Sequence, residues 1–258
     1  MYKNILKHFP KHSTYIEAFG GAASILFQKE PSEIEIYNDL EQNVYSFFKV
    51  LSDSESFEQF KAKCDLVYFS RDIAQEFKES LKHDLDTVER AFRFFCLNRM
   101  VYNGMGSFSY SKNCIRRHMC KQVSDMLSAI DGLREVHLRI SNVVVENQDA
   151  IQLIKKLPDE DHMFYYLDPP YHQSTRTGAR YKEDLDNNEQ KILIDALLNI
   201  KNAKILLSGY SCDEYNRLCK NGWQRIDFDF GSQTGNRESK TVTESLWLNY
   251  ENEKCFDI

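Results

Sequence analysis

No apolar run in this chain approaches the length that spans a bilayer. Its first residues, MYKNILKHFPKHS, carry charge throughout and lack an apolar h-region, so they do not read as a secretory signal. The seven cysteines (Cys64, Cys96, Cys114, Cys120, Cys212, Cys219 and Cys255) include no Cys-x-x-Cys pair, and their odd number argues against a disulfide framework. Reduced thiols in a cytoplasmic protein are expected, with no zinc or other metal centre. The three spaced glycines of a dinucleotide fingerprint are missing. So are internal repeats and any linker between independent domains.

What is present is an ordinary soluble composition: 258 residues, 42% hydrophobic and 28% charged, enough to bury a full core. The net charge of −6 conceals an asymmetry. Arg90 to Val145 holds nine Lys/Arg against three acids, which makes that segment +6 and the remainder −12. A basic segment in an acidic protein suits a phosphate-contacting surface, and equally a solvated helix face.

The most informative stretch is Asp168-Pro169-Pro170-Tyr171, which follows the apolar, aromatic run Met163–Leu167. That run reads as a buried strand, and the prolines end it abruptly because proline cannot donate to a ladder. The stop leaves a carboxylate, free carbonyls and an aromatic ring at the carboxyl end of a strand, where open α/β sheets bind ligands. A planar amino group suits this cluster: Asp168 and backbone oxygens accept its two N–H donors, and Tyr171 stacks on its ring. The same four residues also make an ordinary strand-ending turn.

Earlier in the chain, Thr14–Phe19 reads as a buried strand, then Gly20-Gly21-Ala22-Ala23-Ser24, then a helix starting at Ile25. Small residues there let a ligand approach the backbone, or simply make a tight turn. Glu33–Leu40 alternates as a strand and ends in Asn38-Asp39. Asp39 is placed to bind ribose hydroxyls or to cap the helix Glu41–Leu51. Helical periodicity follows in Glu55–Leu66, Arg71–Lys82 and Asp86–Arg99. Asn103-Gly104 and the alternation around Phe108 and Tyr110 suggest a hairpin. The cations Lys112, Arg116, Arg117 and Lys121 come directly after it, and aromatics among cations suit phosphates and bases. The α/β order resumes with a strand at Asn142–Glu146, so residues 53–141 read as an insertion in one sheet. His172–Asp186, with Arg176, is long for a connection and reads as a functional loop. A helix (Asn187–Asn199), a strand (Lys204–Ser208), a helix (Asp213–Asn221) and strands near Gln224–Phe230 and Glu244–Asn249 complete the pattern.

Taken together, the chain resembles the Dam-type, D12 class of DNA adenine-N6 methyltransferases. Glu17–Ser24 (Glu17, Ala18, Phe19, Gly20, Gly21, Ala22) resembles the cofactor loop, and Tyr37-Asn38-Asp39-Leu40 the ribose-binding motif. Asn98-Arg99 with Tyr102-Asn103-Gly104 resembles the start of the target-recognition hairpin. Glu146-Asn147-Gln148-Asp149 resembles the motif that holds the cofactor's adenine, and Asp168–Tyr171 is similar to the catalytic motif. Leu207–Tyr210 and Glu244–Asn249 resemble later core segments. The resemblance implies S-adenosyl-L-methionine as cofactor, which Asp168 also faces. It implies a Rossmann-like seven-stranded methyltransferase sheet (residues 1–52 and 142–258) and an inserted, mainly helical target-recognition domain carrying a hairpin (53–141). It further implies double-stranded DNA as partner, contacted by Arg99, Asn103, Ser107, Lys112, Arg116, Arg117, Lys121 and Arg176, and allows a cognate restriction endonuclease as a second partner.

Two features depart from the family pattern. The Gly-Gly-Lys stretch usual near the N-terminus is missing, which bears on cofactor affinity. No arginine follows shortly after Asn103-Gly104, so GATC is not assigned as the target. Cytosine-N4 methylation, a catalytically silent DNA-binding relative and a nicotinamide oxidoreductase are the rival readings.

Overall fold

The computed structural model describes residues 2–101, 106–170, 185–231 and 241–252. In chain order its first half contains α1 (Tyr2–Leu6), β1 (Thr14–Glu17), β2 (Ile34–Asn38), α2 (Gln42–Ser52), α3 (Ser54–Leu66), α4 (Arg71–Ser80) and α5 (Thr87–Met100). Then come β3 (Ile115–Arg116), β4 (Met119–Cys120), α6 (Lys121–Asp131), α7 (Leu133–Ile140), β5 (Val144–Glu146), α8 (Ala150–Lys156) and β6 (Met163–Leu167). The last elements are α9 (Asn187–Asn199), β7 (Lys204–Gly209), α10 (Asp213–Lys220), β8 (Gln224–Gly231) and β9 (Thr241–Leu248).

Seven strands form one sheet in the order β5-β2-β1-β6-β7-β9-β8. β1 pairs in parallel with both β2 and β6, and β6 with β7, while β9 runs antiparallel to β7 and β8. All five side chains of β6 are buried, as in a strand covered on both faces. Ile16, Tyr165, Leu167, Ile205, Leu207 and Trp247 from the strands pack against Ile151, Ile154, Leu193, Leu197 and Leu218 from the helices. Each such side chain contributes about 1.5–3 kcal/mol on burial. The chain leaves β1 for β2 on one side and returns through β6 to β7 on the other, so β1 and β6 flank a topological switch point. The fold is a mostly parallel α/β sheet.

The chain divides into two compact units, Met1–Leu40 with Glu146–Ile258, and Glu41–Val145. The second unit takes in α2, which the sequence pattern groups with residues 1–40. Its helices start where their caps dictate: Glu41, Asp53, Ser70 and Asp86 each accept a backbone N–H of the first turn of α2, α3, α4 and α5. An aromatic cluster fills its centre, with Phe47 stacked on Phe95 at 5.7 Å and Phe60 edge-on to Phe95 at 5.7 Å.

One local expectation fails. No helix follows Gly20–Ser24; residues 21–29 form successive turns and a bend. The Glu17 carboxylate accepts the Leu26 N–H at 3.1 Å, as a cap would, but Pro31 lies too close for a helix to extend beyond these turns. A paired hairpin, β3–β4, follows the Phe108–Tyr110 stretch, with Arg117 (φ 52°) and His118 (φ 61°) at its turn; the Asn103-Gly104 turn expected ahead of it lies outside the described residues. Consecutive positive φ values are what a two-residue hairpin turn requires. Val101 and Phe108, on either side of Asn103-Gly104, make an isolated antiparallel bridge.

Candidate active site

Three acids stand at the carboxyl ends of adjacent strands: Glu17 closing β1, Asp39 just after β2 and Asp168 just after β6. Their surroundings differ. Asp39 accepts the Gly21 N–H at 2.7 Å, which folds the glycine turn against the end of β2. Asp39 does not cap α2; Glu41 does, accepting the Val44 N–H at 2.8 Å. The turn is closed by Tyr37, whose hydroxyl donates to the Gly21 carbonyl at 2.6 Å. Its ring lies where a Cβ on Gly20 would stand 2.0 Å from Tyr37 Cε2, so only glycine fits there.

Asn38, fully buried, joins three segments. Its Nδ2 donates to the Ala18 carbonyl at 2.9 Å and to the Gln148 carbonyl at 3.0 Å, and its Oδ1 accepts the Gln148 N–H at 3.0 Å. Asn147 Nδ2 donates to the Asp39 carbonyl at 2.7 Å and the Leu40 carbonyl at 3.1 Å. The cofactor residues proposed from Ala18, Asp39, Leu40 and Gln148 are thus drawn together. Gln148 itself is tied to Glu146 and Lys156, and Asp149 caps α8 through the Gln152 N–H. Leu40 is half exposed and Phe19 partly buried against the core. Asn38 and Asn147 lie inside the Tyr37–Leu40 and Glu146–Asp149 motifs, but the links they make across more than 100 residues show only in the fold.

Glu17 is buried, and burial pushes its carboxyl up to about 8. The nearby Asp168 charge adds to that, against the Tyr15 hydroxyl, which donates at 2.7 Å, and the Leu26 N–H. Lys29 also opposes the rise but is committed to Glu35 at 2.5 Å. Asp168 is pushed up to about 6 by the protein crowded around it, and further by the charge of Glu244. It remains solvent-accessible while lying deep among protein atoms. Ser208 on β7 opposes the shift, donating to Asp168 Oδ1 at 2.8 Å; the same hydroxyl lies 3.3 Å from the Leu167 carbonyl. Pro169 is buried, and its carbonyl has no hydrogen-bond partner among the described residues. The Pro170 carbonyl accepts Gln190 Nε2 at 2.9 Å. Ser208 carries no signal of a role in the sequence, although its segment does.

This crevice fits S-adenosyl-L-methionine on chemical grounds. Glu17, Asp39 and Asp168 offer acceptors to a molecule bearing a sulfonium, an ammonium and ribose hydroxyls. They oppose an anionic pyrophosphate, and no helix N-terminus follows β1 to receive one.

In the helical unit, Arg116, Arg117 and Lys121 are exposed around the β3–β4 hairpin. Arg116 and Lys121 both pair with Asp125, and Arg117 lies 4.0 Å from Asp131. Lys112 and Arg99 are exposed with no ion pair among the described residues; the Arg99 guanidinium sits 5.3 Å from the Phe95 ring. Ser107 lines a recess with Arg71, Gln75, Lys78 and Phe108, where Arg71 lies over the Phe108 ring at 4.8 Å. Tyr171, Asn103 and Arg176 lie outside the described residues. No group of three or more potential metal ligands occurs among the described residues, and none of their helices is long and apolar enough to cross a membrane.

Among solved structures, the chain is similar to a precorrin 8W decarboxylase from Methanobacterium thermoautotrophicum (13% identity, TM-score 0.26, 46% of this chain and 63% of that one). It is also similar to a precorrin-6y C5,15-methyltransferase from Geobacter metallireducens (13% identity, TM-score 0.26, 48% and 60%). The chain thus spans about three fifths of these proteins, and likenesses so distant say nothing of what it acts on. No curated protein matches it. A family model matches residues 1–229, and the chain belongs to the D12 class N6 adenine-specific DNA methyltransferase family.

Proposed function

We propose that the protein transfers a methyl group from S-adenosyl-L-methionine to N6 of an adenine in specific sites of double-stranded DNA. The observation that carries this reading is Asp168, held by Ser208 at 2.8 Å at the carboxyl end of β6, beside the end of β1. An adenine in a duplex hides its amino group, so the base must leave the stack, at a cost of a few kcal/mol. Stacking on Tyr171 would return roughly 1–3 kcal/mol. Glu17, the Gly20-Gly21 turn, Asp39 and the 146–149 segment would hold the cofactor, which when bound supplies an electrophilic methyl on a sulfonium.

The lone pair of N6 is delocalised into the purine ring and attacks poorly. Asp168 and the Pro169 carbonyl accept its two N–H bonds and favour a pyramidal nitrogen. Positive charge then grows on N6 as the new C–N bond forms, and the fixed carboxylate stabilises that charge more than it does the neutral ground state. One N–H proton leaves through Asp168 or solvent, restoring a neutral amine. The exposed cations of the β3–β4 hairpin, with Lys112 and Arg99, contact DNA phosphates. In a restriction–modification setting a cognate endonuclease would cut the sequence this methyl group protects.

Transfer of labelled methyl to unmethylated bacterial DNA, followed by nucleoside analysis, tests the reading. Label in N6-methyladenine is expected for the wild type, and Asp168→Ala should lose almost all turnover while still binding DNA and cofactor. Label in cytosine, none at all, or near-normal turnover by the variant would overturn it.

A further inference from the structure

The catalytic turn is anchored at its two ends by different elements. Ser208 holds Asp168 from β7. At the other end the Pro170 carbonyl is held by Gln190 of α9, a polar side chain with no exposed surface. A buried primary amide must satisfy both its oxygen and its nitrogen, because an orphaned buried group gives up its hydration with nothing in return. Gln190 does so with two partners: Nε2 donates to Pro170, and Oε1 accepts the Tyr215 hydroxyl at 3.1 Å. The pairing fixes which way the amide faces, because a phenol that donates must meet the oxygen. Burial holds Tyr215 far above its ordinary titration range, so it keeps its proton at any working pH.

Tyr215 is in turn locked by the sheet. Its ring meets the buried Trp247 of β9 edge-on at 5.0 Å and 85°. A Cβ at Gly209 would lie 2.9 Å from Tyr215 Cε2, so the glycine ending β7 is what lets the ring seat there. A chain of contacts therefore runs from β7 and β9 through Tyr215 and Gln190 to the backbone of Pro170.

We propose that Gln190, oriented by Tyr215, is a positioning residue for methyl transfer, fixing the Pro170 carbonyl and with it the geometry of the Asp168-Pro169-Pro170 turn. The inference rests on the adenine-methylation reading. It follows from the demand that both acceptors on N6 be in place before the methyl moves. A misplacement of about 1 Å in such an arrangement costs on the order of 100-fold in rate. A group that only stabilised the fold would lower melting temperature and weaken binding together with rate.

The test compares wild type, Gln190→Leu and Tyr215→Phe in single-turnover methyl transfer at saturating S-adenosyl-L-methionine and DNA. Cofactor and DNA dissociation constants and melting temperature are measured alongside. Gln190→Leu should lose about 100-fold in rate and Tyr215→Phe severalfold, with both dissociation constants within about threefold of wild type. If the wild type is active and both variants match it, the inference fails and the function stands. Loss of rate matched by equal losses in binding and stability would also overturn it. Should Gln190→Leu not fold, an undiminished rate in Tyr215→Phe decides against it. A wild type that transfers no methyl to adenine removes the reading beneath it.

Discussion

At the scale of single residues, the site's chemistry turns on a carboxylate held above its usual range. Crowding by protein and the charge of Glu244 lift Asp168 to about 6, while the Ser208 hydroxyl pulls the other way. Only the ionised form both accepts its N–H of N6 and stabilises the growing positive charge, so the rate should climb with pH, reach half its maximum at about 6 and level off above. Ser208→Ala removes a donor that favours the charged form, so its midpoint should move upward and its deficit should be larger in mild acid than in alkali. A pH–rate profile of the two proteins checks this, and coincident midpoints would deny Ser208 its role. The sequence located Asp168 because prolines after a buried strand are a local signal. Ser208, 40 residues away, became legible only through the pairing of β6 with β7.

At the scale of elements, the hairpin β3–β4 presents Arg116 and Arg117 to solvent, paired among the described residues with the half-buried Asp125 and the exposed Asp131. Exposed pairs contribute about 0–1 kcal/mol, so these cations can exchange a carboxylate for a phosphate at little cost. Reversing both charges (Arg116→Glu with Arg117→Glu) should leave the fold intact and weaken DNA binding. The slope of log affinity against log salt should fall by roughly 0.9 for each phosphate that is no longer neutralised. An unaltered slope, measured by titration at several salt concentrations, would mean that the hairpin faces away from DNA. Helices and strands were legible here because hydrophobic periodicity is local. The absent helix after Gly20–Ser24 was not, although Pro31 already limits the length open to it.

For the whole molecule, the buried acids at the sheet's carboxyl edge set a pH dependence of stability. Glu17 lies at about 8 in the folded chain against an ordinary 4.5, so the folded state holds its proton more tightly than the unfolded state does. That contribution is fully present below the ordinary value and is lost as pH rises through about 8. Glu17→Gln abolishes the titration, so its melting temperature relative to wild type should improve steadily from mild acid to alkali, by up to a few kcal/mol of stability. Saturating S-adenosyl-L-methionine, which would bring positive charge to the crevice, should shrink that gap. Thermal unfolding across pH with and without cofactor is the measurement, and a gap independent of pH would sink the argument. The sequence by itself determined the order and type of nearly all elements, the buried central strand, and the acids at strand ends, because periodicity and strand-stopping residues act over a few positions. Only the tertiary structure decided which acids stand side by side, that Ser208 holds one of them, that Gln190 reaches the Pro170 carbonyl, and that Asn38 reaches Gln148 across 110 residues. Those relations come from strand order and helix packing, which join residues that no local pattern connects.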